Sequence, residues 1–217
     1  MPIEDVDRIL ASPAYTSLAG WCTPEKASRM ARLAIQAGAE QPDPLLFVEI
    51  GVFGGKSLAP LALTAKHVLG RGHADGIDPY DAHASCEGTH SIENIEWWSK
   101  VDYPTILRGA REGIARLGLN EIVTLKMARS QDVVSTYEDK SIAILSQDSN
   151  HATELNFYEV MTWAPKIRPG GYWIFDDIHW HEGGVPSTVA GQTRLVELGF
   201  ELIETYDSWA IYQAPKG

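Results

Sequence analysis

The stretch LLFVEIGVFGGKS, residues 45–57, sets the reading of the whole chain. Its opening LLFVEIG is an almost unbroken apolar run, the pattern of a central parallel strand buried on both faces. A glycine-rich turn follows, and GKSLAPLALTAKHVLG (55–70) carries a helix. Outward from this unit the alternation repeats. ADGIDPY (74–80) reads as a second strand ending in Asp78, and a polar segment, 81–102, comes after it. A helix with Ile106, Ala110, Ile114 and Leu117 on one face leads to Gly118, then IVTLKMA (122–128) forms a third strand and SIAILSQD (141–148) a fourth. A helix over about residues 151–167 is expected to bury Leu155, Tyr158 and Met161. GYWIFDD (171–177) is the fifth strand, and a helix near 189–198 precedes FELIETY and WAIYQAP. These last two strands meet tightly around Asp207-Ser208, so they are expected to close one sheet edge as an antiparallel hairpin. Strands alternating with helices through right-handed crossovers give a doubly wound α/β sheet of seven mostly parallel strands.

Ahead of that unit lies a helical segment, 1–44, expected to cap a single domain spanning 45–217. Thr23-Pro24-Glu25 is a helix start, with an N-cap, a proline at the first helical position and an acid in the first turn. Gly38 is the expected stop, and QPDP (41–44) breaks the chain.

At 217 residues the chain is long enough for one substantial core. Hydrophobic residues make up 44% and charged ones 22%, ordinary for a globular protein. The net charge of −11 argues against nonspecific binding to nucleic acid or anionic membranes. Two cysteines without paired spacing exclude a thiolate zinc site and fit a reducing, cytoplasmic setting. The acidic N-terminus has no long apolar run, so neither a signal peptide nor a membrane span is expected.

Ligands of doubly wound sheets bind beyond the carboxyl ends of the strands. Glu49, Asp78, Asp148, Asp176 and Asp177 all fall there. The turn EIGVFGGKS (49–57) admits three readings. A P-loop needs G-x-x-x-x-G-K-[ST]; Gly55-Lys56-Ser57 matches its end, but Ile50 stands where the first glycine belongs. A dinucleotide G-x-G-x-x-G is absent, because Phe53 takes the second glycine's place. The third reading is an acidic E-x-G-x-x-x-G loop, matched by Glu49, Gly51 and Gly55. Asp78 adds an acid placed to accept hydrogen bonds from ribose hydroxyls, although Asp-Pro also begins turns. Neighbouring parallel strand ends lie about 5 Å apart, so Asp148, Asp176 and Asp177 can meet. Three carboxylates in one place repel unless a divalent cation joins them. The competing reading, in which Asp148 merely caps the helix near His151, stands level on spacing alone.

FVEIGVFGGKSLAP, GIDPYD and the pair LSQDSNH and RPGGYWIFDD resemble class I S-adenosylmethionine (SAM)-dependent methyltransferases. More narrowly they are similar to bacterial metal-dependent O-methyltransferases acting on macrolide sugars and other secondary metabolites. The resemblance covers residues 45–214. The family's Asp-Gly-x-His is held by Asp148 and His151, and its paired acid, 28 and 29 residues beyond, by Asp176 and Asp177. It implies a Rossmann-like domain and a SAM site from Glu49, Gly51, Gly55, Ser57 and Asp78, with Ser130 and Gln131 against the adenine. It also implies a site for Mg²⁺ or another divalent cation from Asp148, Asp176 and Asp177, with His151 as general base. The acceptor would be a hydroxyl of a small molecule such as a sugar or natural product, and a homo-oligomer, dimer or higher, is expected. Two departures stand out. Gln147-Asp148-Ser149 replaces the family's Ile-Asp-Gly, and the polar Gln147 is expected to reshape the pocket. His151 replaces the lysine of catechol-type relatives, which points away from catechols. The alternatives are a P-loop-like nucleotide hydrolase and a non-catalytic SAM-binding module. The segment 81–102, with Trp97 and Trp98, reads either as a lid over the acceptor pocket or as a surface loop.

Overall fold

The structure, a computed structural model, describes residues 3–217. Helices α1 (Ile3–Leu10), α2 (Pro13–Thr16) and α3 (Pro24–Glu40) precede strand β1 (Leu46–Ile50). Then come α4 (Leu58–Thr64), β2 (His73–Ile77), α5 (Ala82–Ser85), α6 (Ile92–Trp98) and α7 (Tyr103–Arg116). They are followed by β3 (Val123–Lys126), α8 (Ser130–Val133), β4 (Ile142–Gln147), α9 (Thr153–Trp163) and β5 (Ile167–Asp176). A small hairpin, β6 (His181–Glu182) with β7 (Val185–Pro186), leads to α10 (Val189–Glu197), β8 (Glu201–Thr205) and β9 (Trp209–Gln213).

The main sheet has seven strands in the order β3-β2-β1-β4-β5-β9-β8. The first five run parallel, and β9 joins antiparallel to both β5 and β8. The doubly wound sheet with its edge hairpin is therefore as the sequence pattern predicts. Strand order reverses between β1 and β4, the switch point at which such sheets bind ligands. There the chain is tied by Gly51 N–H donating to Ile77 C=O and Asp148 N–H donating to Ile50 C=O, both 2.9 Å.

Period-2 alternation splits the strands between two cores. Phe47, Ile144, Tyr172 and Ile174 pack with Met30, Leu33 and Leu61 under α3 and α4. Val48, Leu145, Trp173 and Phe175 pack with Val160, Trp163 and Leu195 under α9 and α10. Full burial of side chains this large contributes on the order of 2–3 kcal/mol each. The same alternation sends Glu49 and Asp176 toward α3 and Gln147 toward α9, and this divides the polar residues at the strand ends. No helix among the described residues is long and apolar enough to cross a membrane.

Three local expectations need correction. α3 does not stop at Gly38 but runs to Glu40. Gly38 is instead a close-approach position, since a Cβ there would lie 2.7 Å from the Leu69 side chain. The helix after β4 presents a different face, burying Asn156, Glu159, Val160 and Trp163 while Tyr158 and Met161 are exposed. Its buried stripe is half polar, so apolar residues alone pointed to the wrong side. The segment 81–102 is not a plain loop, because it folds into α5 and α6, capped by Asp81 and Ser91.

Candidate functional site

β1 runs into Gly51 at φ 86. A Cβ at this position would sit 1.9 Å from the Asp148 carbonyl oxygen, so the crossing of the β1 and β4 ends admits only glycine. The turn is held by Asp78, whose Oδ2 accepts the N–H groups of Val52 at 3.0 Å and Phe53 at 2.8 Å. Its Oδ1 accepts the Tyr80 N–H at 2.7 Å. Burial raises the Asp78 carboxyl and these three N–H groups partly offset the rise. A carboxylate accepts about four hydrogen bonds, so roughly one acceptor position remains for a hydroxyl, fewer than the two expected from the sequence.

Glu49 lies fully buried beneath this turn, and neither carboxyl oxygen has a hydrogen-bond partner. Burial pushes it up to about 8, against the opposing influence of Ser57 and Lys26. Gly55, φ 82, is buried, yet a Cβ there would meet nothing within 4 Å. An orphaned buried acid and an unfilled hollow beside a helix start both fit a ligand carrying positive charge and hydroxyls.

A cavity of about 490 Å³ opens over these residues. Gly51, Ser57, Asp78, Ser130 and Gln131 line it, whereas Glu49 and Gly55 do not. Asp148, His151, Asp176 and Asp177 line it too, so the two groups of residues singled out in the sequence share one space. Phe53, Trp21, Trp97 and Trp98 add an aromatic wall, with Trp21 5.2 Å from Phe53 and 5.6 Å from Trp97 between ring centres. The polar segment therefore covers the cavity, and Trp97 and Trp98 face it.

Within the acidic group, one donor atom each from Asp148, His151 and Asp177 lies within 4.8 Å of the others. His151 Nε2 is 2.9 Å from Asp177 Oδ2, so the imidazole sits inside the cluster rather than above it. Its ring stacks on Trp180 at 4.7 Å and 27°. Burial, reinforced by the neighbouring Asp176 charge, raises the Asp148 carboxyl well above its ordinary value despite Lys26. Asp176 differs from expectation. It is not drawn into this donor set but forms an ion pair with Lys26, a residue of α3 that is only 2% exposed. Burial by itself would lower the Lys26 ammonium; Asp148 and Asp176 outweigh it and hold it above its usual value.

Three further residues that the sequence reading did not single out shape the site. Glu159 of α9 accepts hydrogen bonds from Ser130 at 2.6 Å, Gln147 at 2.9 Å and Ser149. Gln147 also accepts the Trp173 Nε1–H at 3.1 Å. The unusual Gln147 thus does not reshape the cavity, which it does not line, but serves as a buried strut. Glu182 of β6 fastens α6, accepting from Ser91 N–H at 2.8 Å, Asn94 Nδ2 at 2.9 Å and Trp180 Nε1 at 2.8 Å, with His90 Nδ1 at 2.9 Å. Lys26 had a legible sign: it shares the buried stripe of α3 with Met30, Leu33 and Ala37.

The methyltransferase-domain family matches residues 48–178, more than half of the chain. No curated protein sequence matches it. Among solved structures, NovP, an O-methyltransferase, is 17% identical at a TM-score of 0.69, covering 91% of this chain and 84% of that one. TomG of Streptomyces achromogenes, an O-methyltransferase of tomaymycin synthesis solved with SAM, is 17% identical at a TM-score of 0.60, covering 98% and 87%. An O-methyltransferase from Bacillus cereus solved with SAH is 15% identical at 0.59, covering 98% and 88%. These structures share the fold, and the family match carries the assignment: the chain belongs to the class I SAM-dependent methyltransferases.

Proposed function

We propose that the protein moves the methyl group of SAM to a hydroxyl of a small molecule, with His151 as the base that accepts the hydroxyl proton. The single observation that carries this reading is the 2.9 Å pair of His151 and Asp177 on the wall of the same cavity as Asp78 and Gly51. A carboxylate on one ring nitrogen fixes the imidazole's orientation and stabilises the imidazolium formed on proton transfer. Stacking on Trp180 limits the ring's remaining freedom. At the other end Asp78, Ser130 and Gln131 bind and orient the adenosine portion, and Glu49, a buried carboxyl with neither oxygen hydrogen-bonded, favours a positively charged donor. Holding donor and acceptor in line supplies much of the acceleration, and the aromatic wall excludes water.

Asp148 and Asp177 would hold a divalent cation, whose chemistry is to lower the pKa of a coordinated hydroxyl. The donor set fits, with hard oxygen ligands and an imidazole crowded within 4.8 Å of one another. TomG's part in tomaymycin synthesis supports a natural-product acceptor for this chain as well. Free Cys22 and Cys86 support a reducing, cytoplasmic setting, and exposed Ile92, Ile95 and Trp97 support a homo-oligomer. The nucleotide-hydrolase alternative falls with the family match.

The test is methyl transfer from labelled SAM to a panel of hydroxylated small molecules, with SAM affinity measured by calorimetry. His151→Ala is expected to keep SAM affinity and lower kcat by roughly a hundredfold. Loss of SAM binding in the wild type would defeat the whole reading, and an unchanged kcat in the variant would remove His151 from the chemistry.

A further inference from the structure

Lys26 lies outside the family-matched segment, at the first turn of α3, where its backbone N–H is capped by Thr23 Oγ1 at 3.1 Å. Its ammonium is almost wholly buried and is not part of the cavity lining, whereas its partner Asp176 is. Burying a lone ammonium is costly, so such a group persists only where fixed anions offset the loss of hydration. Here Asp148 and Asp176 do so, and the α3 N-terminus favours the same anions.

Each oxygen of Asp176 already has a partner. Oδ2 takes the Lys26 ammonium, and Oδ1 accepts the Asp177 N–H at 3.2 Å. Asp177 spends one oxygen on His151, and Asp148 faces the cavity. We propose that Lys26 is a positioning residue that withholds Asp176 from the cation site, leaving Asp148 and Asp177 as its only carboxylates. The fixed ammonium also opposes any second positive charge nearby, so it sets cation affinity low. This inference rests on the reading of Asp148 and Asp177 as a cation site.

Mn²⁺ calorimetry on the full chain tests it, with SAM calorimetry and thermal unfolding run on every variant. Asp176→Asn, which removes a nearby charge but not a ligand, is expected to weaken Mn²⁺ several-fold less than Asp177→Asn, which loses roughly tenfold or more. Lys26→Met, which removes the charge but keeps much of the volume, is expected to tighten Mn²⁺ roughly tenfold or more, because Asp176 is released and a repelling charge is gone. Binding that appears in Lys26→Met but not in the wild type supports the inference equally. Asp176→Asn losing Mn²⁺ as Asp177→Asn does overturns it, as does unchanged or weaker binding in Lys26→Met, including none in either protein. Should Lys26→Met fail to fold, the two aspartate variants decide. Failure of SAM to bind would defeat the proposed methyl transfer and leave the Mn²⁺ comparison readable.

Discussion

Replacing Glu182 with Gln tests whether the cover of the cavity is latched by one carboxylate. Three partners of Glu182 present donors, the Ser91 N–H, the Asn94 amide and the Trp180 indole, and the His90 ring lies beside them with Nδ1 2.9 Å from Oε1. A carboxylate accepts at both ends, but a glutamine must turn an NH₂ toward donors. Burial by itself would raise this carboxyl, but the hydrogen bonds outweigh it and bring it from 4.5 down to about 2. That lowering is worth at most about 3 kcal/mol to the ionised form, less by whatever solvent screens, and so up to roughly a hundredfold in the equilibrium between latched and released cover. The sign is that of a depressed acid: the contribution is complete above the ordinary carboxyl range and lost only as pH falls through about 2. At pH 7 the wild type therefore has all of it and Glu182→Gln lacks most of it. Amide hydrogen exchange reads the difference, because the α6 amides exchange through release of this segment. Their protection is expected to fall by up to about a hundredfold in Glu182→Gln while that of β1, β4 and β5 is unchanged. Protection in α6 within about twofold of the wild type would refute the latch, and a uniform fall across the sheet would make Glu182 a general stability residue.

Asp78→Asn keeps the shape but surrenders the charge that gathers the Val52, Phe53 and Tyr80 N–H groups, so calorimetry should show SAM binding weakened at least tenfold; undiminished affinity would assign Asp78 to the turn alone. Gly51→Ala forces a Cβ to 1.9 Å from the Asp148 carbonyl at a positive φ. Denaturant unfolding should show a loss on the order of 3 kcal/mol or more, and a loss below about 1 kcal/mol would mean that the β1 and β4 ends can part without cost.

The sheet was legible because its strands carry their own signal. LFVEI, IAILSQ and YWIF are long apolar runs bounded by glycine or acid, and nothing else in the chain competes with that pattern. The glycine loop was legible for a different reason: Gly51 is demanded by a backbone contact, and a contact that only glycine tolerates leaves its mark in the sequence. Where the signal failed, polar residues were doing the work of the core. α9 has apolar residues on every side, and its buried stripe includes Glu159, which bonds Gln147, Ser130 and Ser149, and Asn156, whose side chain lies against Gly191 of α10. A helix face defined by hydrogen bonds to another element has no periodic hydrophobic trace. Glu182 is hidden in the same way, since three of its four side-chain and backbone partners, His90, Ser91 and Asn94, lie some ninety residues away in the segment 87–98.

The division of the paired acids is a matter of parity, and part of it could have been worked out from the strands. In β5, Tyr172 and Ile174 face the core under α3, and Trp173 and Phe175 face the other. Asp176 continues the first series, so it must look toward α3. In β4 the same count sends Ile144 toward α3 and Leu145 and Gln147 toward α9. Adjacent acids on a strand end are thus partners in sequence but not in space. Asp176 meets whatever α3 presents, and Asp177, turned by its φ of 51, meets His151. What parity cannot supply is the identity of the group α3 presents. That follows only from the N-cap at Thr23, which sets the helical phase and brings Lys26 onto the stripe of Met30 and Leu33. The N-terminal helix is therefore not a cover laid over a finished site. It contributes the counter-charge that offsets the crowding of Asp148 and Asp176 at the end of a buried sheet.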